Sequence, residues 1–189
     1  MNDTRRIEED LEYVRGAVAR SERPGGPRSI YWFWAVVVLV GFPLADLAPD
    51  LVGWYWAVLG PVGGLISARL GWKHARATGQ ADRDLGHRHM LHWTGLMVVI
   101  FASVVMGIAG RVSWDAVDLM IVLLLTLSYF LAGVHLDRRM MWGAGAMLAA
   151  YFLALALPAW GWTVSGVVVA TGLVIAGTSG GGARVAVPQ

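Results

Sequence analysis

The 189-residue chain contains no cysteine. Disulfide bonds, thiolate metal ligands and haem attachment through sulfur are therefore excluded. Charged residues are also scarce, at 15% of the chain, whereas soluble domains average about 25%. A chain with so few charges has too little polar surface for a water-soluble particle, so its composition points away from the soluble proteins.

Six long apolar runs account for the missing charge. Each comes close to the roughly 20 residues that cross the hydrocarbon core of a bilayer. They are apolar on all sides, whereas a helix at the surface of a soluble protein keeps a polar face. The runs occupy residues 30–48, 51–71, 91–110, 114–134, 140–157 and 160–178. We therefore predict an all-α polytopic membrane protein whose six transmembrane helices form three antiparallel hairpins.

The distribution of positive charge predicts the orientation of these spans. Fourteen of the fifteen Lys and Arg residues fall in the N-terminal segment, the second-to-third and fourth-to-fifth connections, and the C-terminal tail; Arg111 alone falls on the other side. Cytoplasmic connections carry the excess of Lys and Arg. We therefore predict a bacterial-type inner (plasma) membrane protein with both termini in the cytoplasm.

Several features common in membrane enzymes and transporters are missing from the sequence. The middle of each apolar run has no charged residue, although ion pathways and proton relays usually show one at that depth. The phosphate-binding loop, the HExxH zinc motif and the dinucleotide fingerprint are also absent. We therefore expect no enzyme activity, no cofactor and no nucleic-acid partner.

Small residues and proline indicate how the spans pack. Pairs of small residues four positions apart allow two transmembrane backbones to approach closely. Such pairs include Gly60 with Gly64, Ser103 with Gly107, Gly145 with Ala149, and Gly172 with Ala176. Pro43 and Pro61 lie within apolar runs, where each removes a backbone donor and is expected to kink its helix.

The charged N-terminal segment predicts a short amphipathic helix over residues 4–21. Ile7, Leu11, Val14 and Val18 follow one another at steps of four, three and four, and therefore form one apolar stripe. We predict that this stripe docks a protein partner or a second copy of the chain, since acidic residues border it and would be repelled by anionic lipid. Residues 1–28 then form this helix with a Pro/Gly linker, residues 29–179 the membrane domain, and residues 180–189 a flexible cytoplasmic tail.

The stretch "LGHRHMLHW", residues 85–93, concentrates histidines at one membrane edge. His89, His92 and His135 are candidate ligands for a metal ion such as Zn²⁺, because helix ends bring them to the same side. Four arginines crowd the same edge and would repel a divalent cation, favouring an anionic lipid headgroup instead; they are Arg83, Arg88, Arg138 and Arg139. We therefore favour interfacial polar residues over a metal site.

These features leave three functional hypotheses. The leading one is a small integral membrane protein that acts through interaction, as a scaffold or regulatory subunit with a cytoplasmic docking helix. The alternative is a permease or channel component that works as an oligomer. A metal- or haem-dependent membrane enzyme using the histidines is the third.

Overall fold

The computed structural model describes residues 7, 8, 10–14, 16, 26–77 and 83–179. This part of the chain is helical, with short turns and no strand. Its seven main helices are α1 (Arg28–Gly41), α2 (Pro43–Leu47), α3 (Pro49–Ala77), α4 (Arg83–Ile108), α5 (Trp114–His135), α6 (Met140–Ala156) and α7 (Gly161–Thr178). The predictions for Val18, for the side chain of Arg83 and for the tail at 180–189 lie outside the described residues.

Five of these segments are long and apolar enough to cross a membrane: α1 together with α2, α3, α4, α5 and α7. Helix α6 is apolar as well but has only 17 residues. For the described residues, the prediction of an all-α chain with several helices long and apolar enough to cross a membrane is confirmed.

Proline interrupts the first span, as the sequence predicts. Pro43 is the first residue of α2 and has no N–H to donate, so the helical ladder breaks after α1 even though Phe42 keeps helical backbone angles. Ala48 then leaves the helical region, with φ −151° and ψ 67°, and Pro49 begins α3. The first two spans are therefore joined by a very tight turn.

Helices α3 and α4 extend well beyond the apolar runs that predicted them. The structure keeps residues 72–77 and 83–90 helical although they are polar. Hydropathy marks the depth of the membrane, whereas a helix continues for as long as its backbone bonds do. The histidines at positions 87–92 consequently lie within a helix.

The helices form an open series with α7 near its middle. Helix α7 packs against α6 on one side and against α1 and α2 on the other; α5 packs on α6, and α4 on α5. Helix α3 packs on α1 and α2, so α3 and α4 are the two outermost helices, and their described residues make no contact with each other. In α7, half of the apolar stretch that is long enough to cross a membrane is buried inside the bundle. In α3, only 6% of the corresponding stretch is buried.

Small residues allow α7 to occupy this central position. A side chain at Gly166 would come within 2.8 Å of the Phe42 Cβ, and one at Gly172 would collide with Ala146 on α6. Ala176 is fully buried on the same helix. The pair formed by Gly172 and Ala176 therefore lies in the core. A methyl group added at Gly60, Gly64 or Gly145 would instead meet open space.

Two hydrogen bonds attach α3 to α1. Trp34 donates its Nε1–H to the Ser67 hydroxyl at 2.9 Å, and the Tyr55 hydroxyl donates to the Val37 carbonyl at 2.7 Å. Gly63 leaves room for the Trp34 ring, because a methyl group there would lie 2.8 Å from it. The attachment thus depends on one narrow face of α3, and most of the other residues of this helix are exposed.

Candidate functional site

The most extensive polar arrangement surrounds Asp137, in the turn between α5 and α6. Asp137 is only 8% exposed. Oδ2 accepts hydrogen bonds from the Tyr31 hydroxyl at 3.0 Å and from the Gly26 N–H at 3.1 Å. Residues more than a hundred positions apart in sequence are therefore joined where α1 begins.

Arg139 completes this group, which we name the Asp137 cluster (Gly26, Tyr31, Asp137 and Arg139). Its backbone N–H and Nε both donate to Oδ1 of Asp137 at 3.1 Å, and Nη2 forms an ion pair with Oδ2 at 3.1 Å. Nη2 also donates to the Gly26 carbonyl at 3.1 Å, and the guanidinium lies 5.7 Å from the centre of the Tyr31 ring.

This geometry fastens the start of α1 to the turn between α5 and α6. Both main-chain groups of Gly26 are bonded, and the carboxylate is saturated by donors. A carboxylate with about four acceptor positions has little left for a metal ion or a substrate once so many donors surround it. The cluster is therefore suited to positioning the N-terminal segment.

Sequence reasoning missed the role of Asp137. The available signal was that Asp137 is the only carboxylate after Asp118 and is followed directly by two arginines. An isolated acid at a membrane edge requires a cationic partner. The identity of the other two partners, Gly26 and Tyr31, depends on how distant helices pack and leaves no local signature.

The three candidate histidine ligands have different surroundings. His92 Nε2 lies 3.1 Å from the Ser128 carbonyl oxygen of α5, to which it donates as an N–H. His89 is partly buried on the same helix, whereas His135 is exposed at the last residue of α5. Within the described ranges, no group of three or more His, Cys, Asp or Glu side chains is placed to hold a metal ion. The structure thus gives His92 a backbone partner and does not bring the three into one coordination sphere.

The four arginines predicted to bind lipid headgroups also separate into different environments. Arg88 and Arg138 are exposed at the same end of the bundle. Arg139 is instead directed into the Asp137 cluster, because the carboxylate there provides a stronger partner than solvent does. Among the described side chains, the headgroup prediction therefore remains for Arg88 and Arg138.

The predicted docking stripe is exposed where the structure describes it. Residues 7, 8, 10–14 and 16 have helical backbone. The side chains of Ile7, Leu11 and Val14 are 50–58% exposed.

A second carboxylate organises the opposite end of the bundle. Asp46 on α2 accepts from both the backbone N–H and the hydroxyl of Thr163, each at 2.7 Å. Thr163 is in the first turn of α7, where the N–H groups have no partner within the helix. Negative charge is also favourable at that end of a helix. Asp46 therefore caps α7 from a neighbouring helix.

Comparison with known proteins adds no functional assignment. No protein-family model matches the chain, and neither the curated proteins nor the solved structures contain a significant match.

Proposed function

We propose that the protein is an integral inner-membrane scaffold or regulatory subunit whose N-terminal helix docks a protein partner. The observation that carries this proposal is the exposure of Ile7, Leu11 and Val14 on helical backbone. Four apolar positions in so short a helix are marginal for independent stability. Such a stripe acquires a function, and added stability, when a partner covers it.

The proposal includes six spans arranged as three hairpins, with both termini in the cytoplasm. Contacts between α1 or α2 and α3, between α4 and α5, and between α6 and α7 support the hairpin pairing. The concentration of fourteen of fifteen Lys and Arg residues on one side supports the orientation.

The chemistry around the stripe restricts the partner. Glu8, Asp10 and Glu12 are exposed beside it on the same helix. An anionic membrane surface would repel these carboxylates, whereas a protein groove with an apolar floor and a basic border would complement them. The partner is therefore a protein with such a groove. A second copy of the chain is one of the proteins that this description covers.

The Asp137 cluster limits where this docking takes place. Gly26 is fixed by two main-chain hydrogen bonds and lies ten positions after Gly16 of the N-terminal helix. A fully extended chain of that length spans at most about 36 Å. A docked partner is therefore held close to the membrane surface beside the α5–α6 turn.

The docking proposal is tested with Leu11→Asp combined with Val14→Asp. Two charges on the stripe would be desolvated by any apolar contact, which costs several kcal/mol and should abolish association. Tyr13→Asp is the matched control, because Tyr13 is 73% exposed and lies on the far side of the same helix. Pulldown from crosslinked membranes and measurement of self-association should show loss only in the double variant. Equal association by the wild type and both variants would refute the docking role.

Orientation is tested separately by reporter fusions after Ser113 and after Gln189. The proposal expects the two fusions to report opposite sides of the membrane. If both reporters have the same location, either the number of spans or their order is incorrect.

A further inference from the structure

Helix α3 carries an unusual concentration of positive charge at its C-terminal end. Arg69, Trp72, Lys73 and Arg76 are spaced i, i+3, i+4 and i+7 and therefore share one side of the helix. All four are exposed, and the Arg76 guanidinium lies 3.8 Å from the centre of the Trp72 ring. We name these four residues the α3 ridge.

The charges of the α3 ridge are not neutralised within the described part of the chain. The ion pair found there is that between Arg139 and Asp137, and Asp137 is already saturated. Arg69, Lys73 and Arg76 consequently have no carboxylate within 4.0 Å among the described residues. Three adjacent cations without an acid leave a positive surface that an anionic group would complement.

The outward side of α3 also has the dimensions of a lipid-facing surface. Trp54 and Trp72 are both more than half exposed, at 76% and 56%. Trp72 lies eighteen positions after Trp54, which corresponds to about 27 Å along a helix. This length agrees with a hydrocarbon core of about 30 Å bounded by tryptophan at each interface. Val58 and Leu65 are exposed on the side between them.

We propose that the α3 ridge is a binding site for the headgroup of an anionic phospholipid. The three cations bind the phosphate, while Trp72 and the apolar side of α3 contact the acyl chains. Charge complementarity identifies the occupant, and the tryptophan spacing places the ridge at headgroup depth. The site requires only that α3 crosses the membrane, and it is independent of the docking role of the N-terminal helix and of the orientation of the termini.

The test is native mass spectrometry of the purified full-length protein with added dioleoylphosphatidylglycerol or dioleoylphosphatidylcholine. These two lipids have the same acyl chains and differ in headgroup charge. The ridge variant combines Arg69→Gln, Lys73→Gln and Arg76→Gln. The control variant removes exposed charges that belong neither to the ridge nor to the predicted headgroup residues, with Arg28→Gln at the same end of the bundle and Arg111→Gln at the opposite end.

The wild type and the control variant should retain phosphatidylglycerol in preference to phosphatidylcholine. Each cation at a membrane surface changes the affinity for anionic lipid about fivefold. The ridge variant should therefore lose at least tenfold in selective retention. Soluble glycerol 3-phosphate should not compete, because it has no acyl chains for the apolar side of α3.

Three results would overturn this site. They are equal loss in the ridge and control variants, unchanged selectivity in the ridge variant, and full competition by glycerol 3-phosphate. If the triple substitution impairs folding, Lys73→Gln alone serves as the test and should lower selective retention about fivefold. Unchanged retention in that single variant would count equally against the α3 ridge.

Discussion

Replacing Asp137 with alanine should destabilise the bundle more than any other single charge removal at the same end. The substitution leaves the guanidinium of Arg139, only 17% exposed, without its carboxylate, and deprives Tyr31 and Gly26 of their acceptor. Removing one partner of a buried ion pair costs about 3–5 kcal/mol. Arg139 retains some access to water, so we expect a loss near the lower limit, about 3 kcal/mol.

The contributions of the individual partners can be separated. Tyr31→Phe removes one hydrogen bond to a charged acceptor and leaves the ion pair intact, so it should cost about 1.5–3 kcal/mol. Arg138→Ala is the matched control, because Arg138 is adjacent in sequence and exposed. An exposed substitution of this kind normally changes stability by no more than about 0.5 kcal/mol.

The assay is reversible unfolding in mixed micelles of a mild detergent and dodecyl sulfate, followed by tryptophan fluorescence. A double-mutant cycle that combines Asp137→Ala with Arg139→Ala measures their coupling directly. The fastening role predicts that Arg139→Ala costs much less in the Asp137→Ala background than in the wild type. If Asp137→Ala is no more costly than Arg138→Ala, or if the cycle shows no coupling, the cluster does not hold α1 in place.

Two further substitutions test the packing and capping of α7, both in the same unfolding assay. Gly172→Ala places a methyl group against α6 and should lower the free energy of unfolding by about 1–3 kcal/mol. Gly145→Ala is the control: its methyl group meets open space, so it should be neutral or slightly stabilising. Similar effects at both sites would contradict the close helix contact. Asp46→Ala removes the acceptor for the backbone N–H and the hydroxyl of Thr163 and should lower the free energy of unfolding by about 0.5–2 kcal/mol. An unchanged free energy of unfolding would mean that water replaces the cap.

The sequence predicted the helical class and the approximate position of each long apolar helix, because long apolar runs have few stable alternatives in lipid. It also predicted the interruption at Pro43, because the missing N–H is a local property of that residue. Helix ends were predicted less well. Arg76 and His87 lie in helices that continue past the apolar runs, and hydropathy carries no information about where such polar turns stop.

The contacts between residues of different helices could not be predicted from the sequence alone. The sequence analysis assigned no partner to Asp137, whereas the structure surrounds it with Tyr31, Gly26 and Arg139. That arrangement arises because α1 and the α5–α6 turn meet at the same end of the bundle. Gly60 and Gly172 show the same limit: both belong to pairs of small residues, but only Gly172 lies at a close helix contact, and neighbouring residues do not distinguish them.

The central position of α7 has a consequence for biosynthesis. Helix α1 ends at Gly41, and its main packing partner begins at Gly161, so about 120 residues must be translated between them. At about 5–20 residues per second, α1 spends on the order of 6–24 s in the membrane before that partner is made. During this interval the part of α7 against which Phe42 packs has not been synthesised. The partially inserted chain therefore exposes an unpaired helix face to lipid, to the insertion machinery and to membrane proteases. Substitutions in α7 should therefore lower the amount of protein that accumulates in the membrane more than equally destabilising substitutions in α4. Among the helices that the structure describes, α4 packs on α5 alone, which follows it within a few residues.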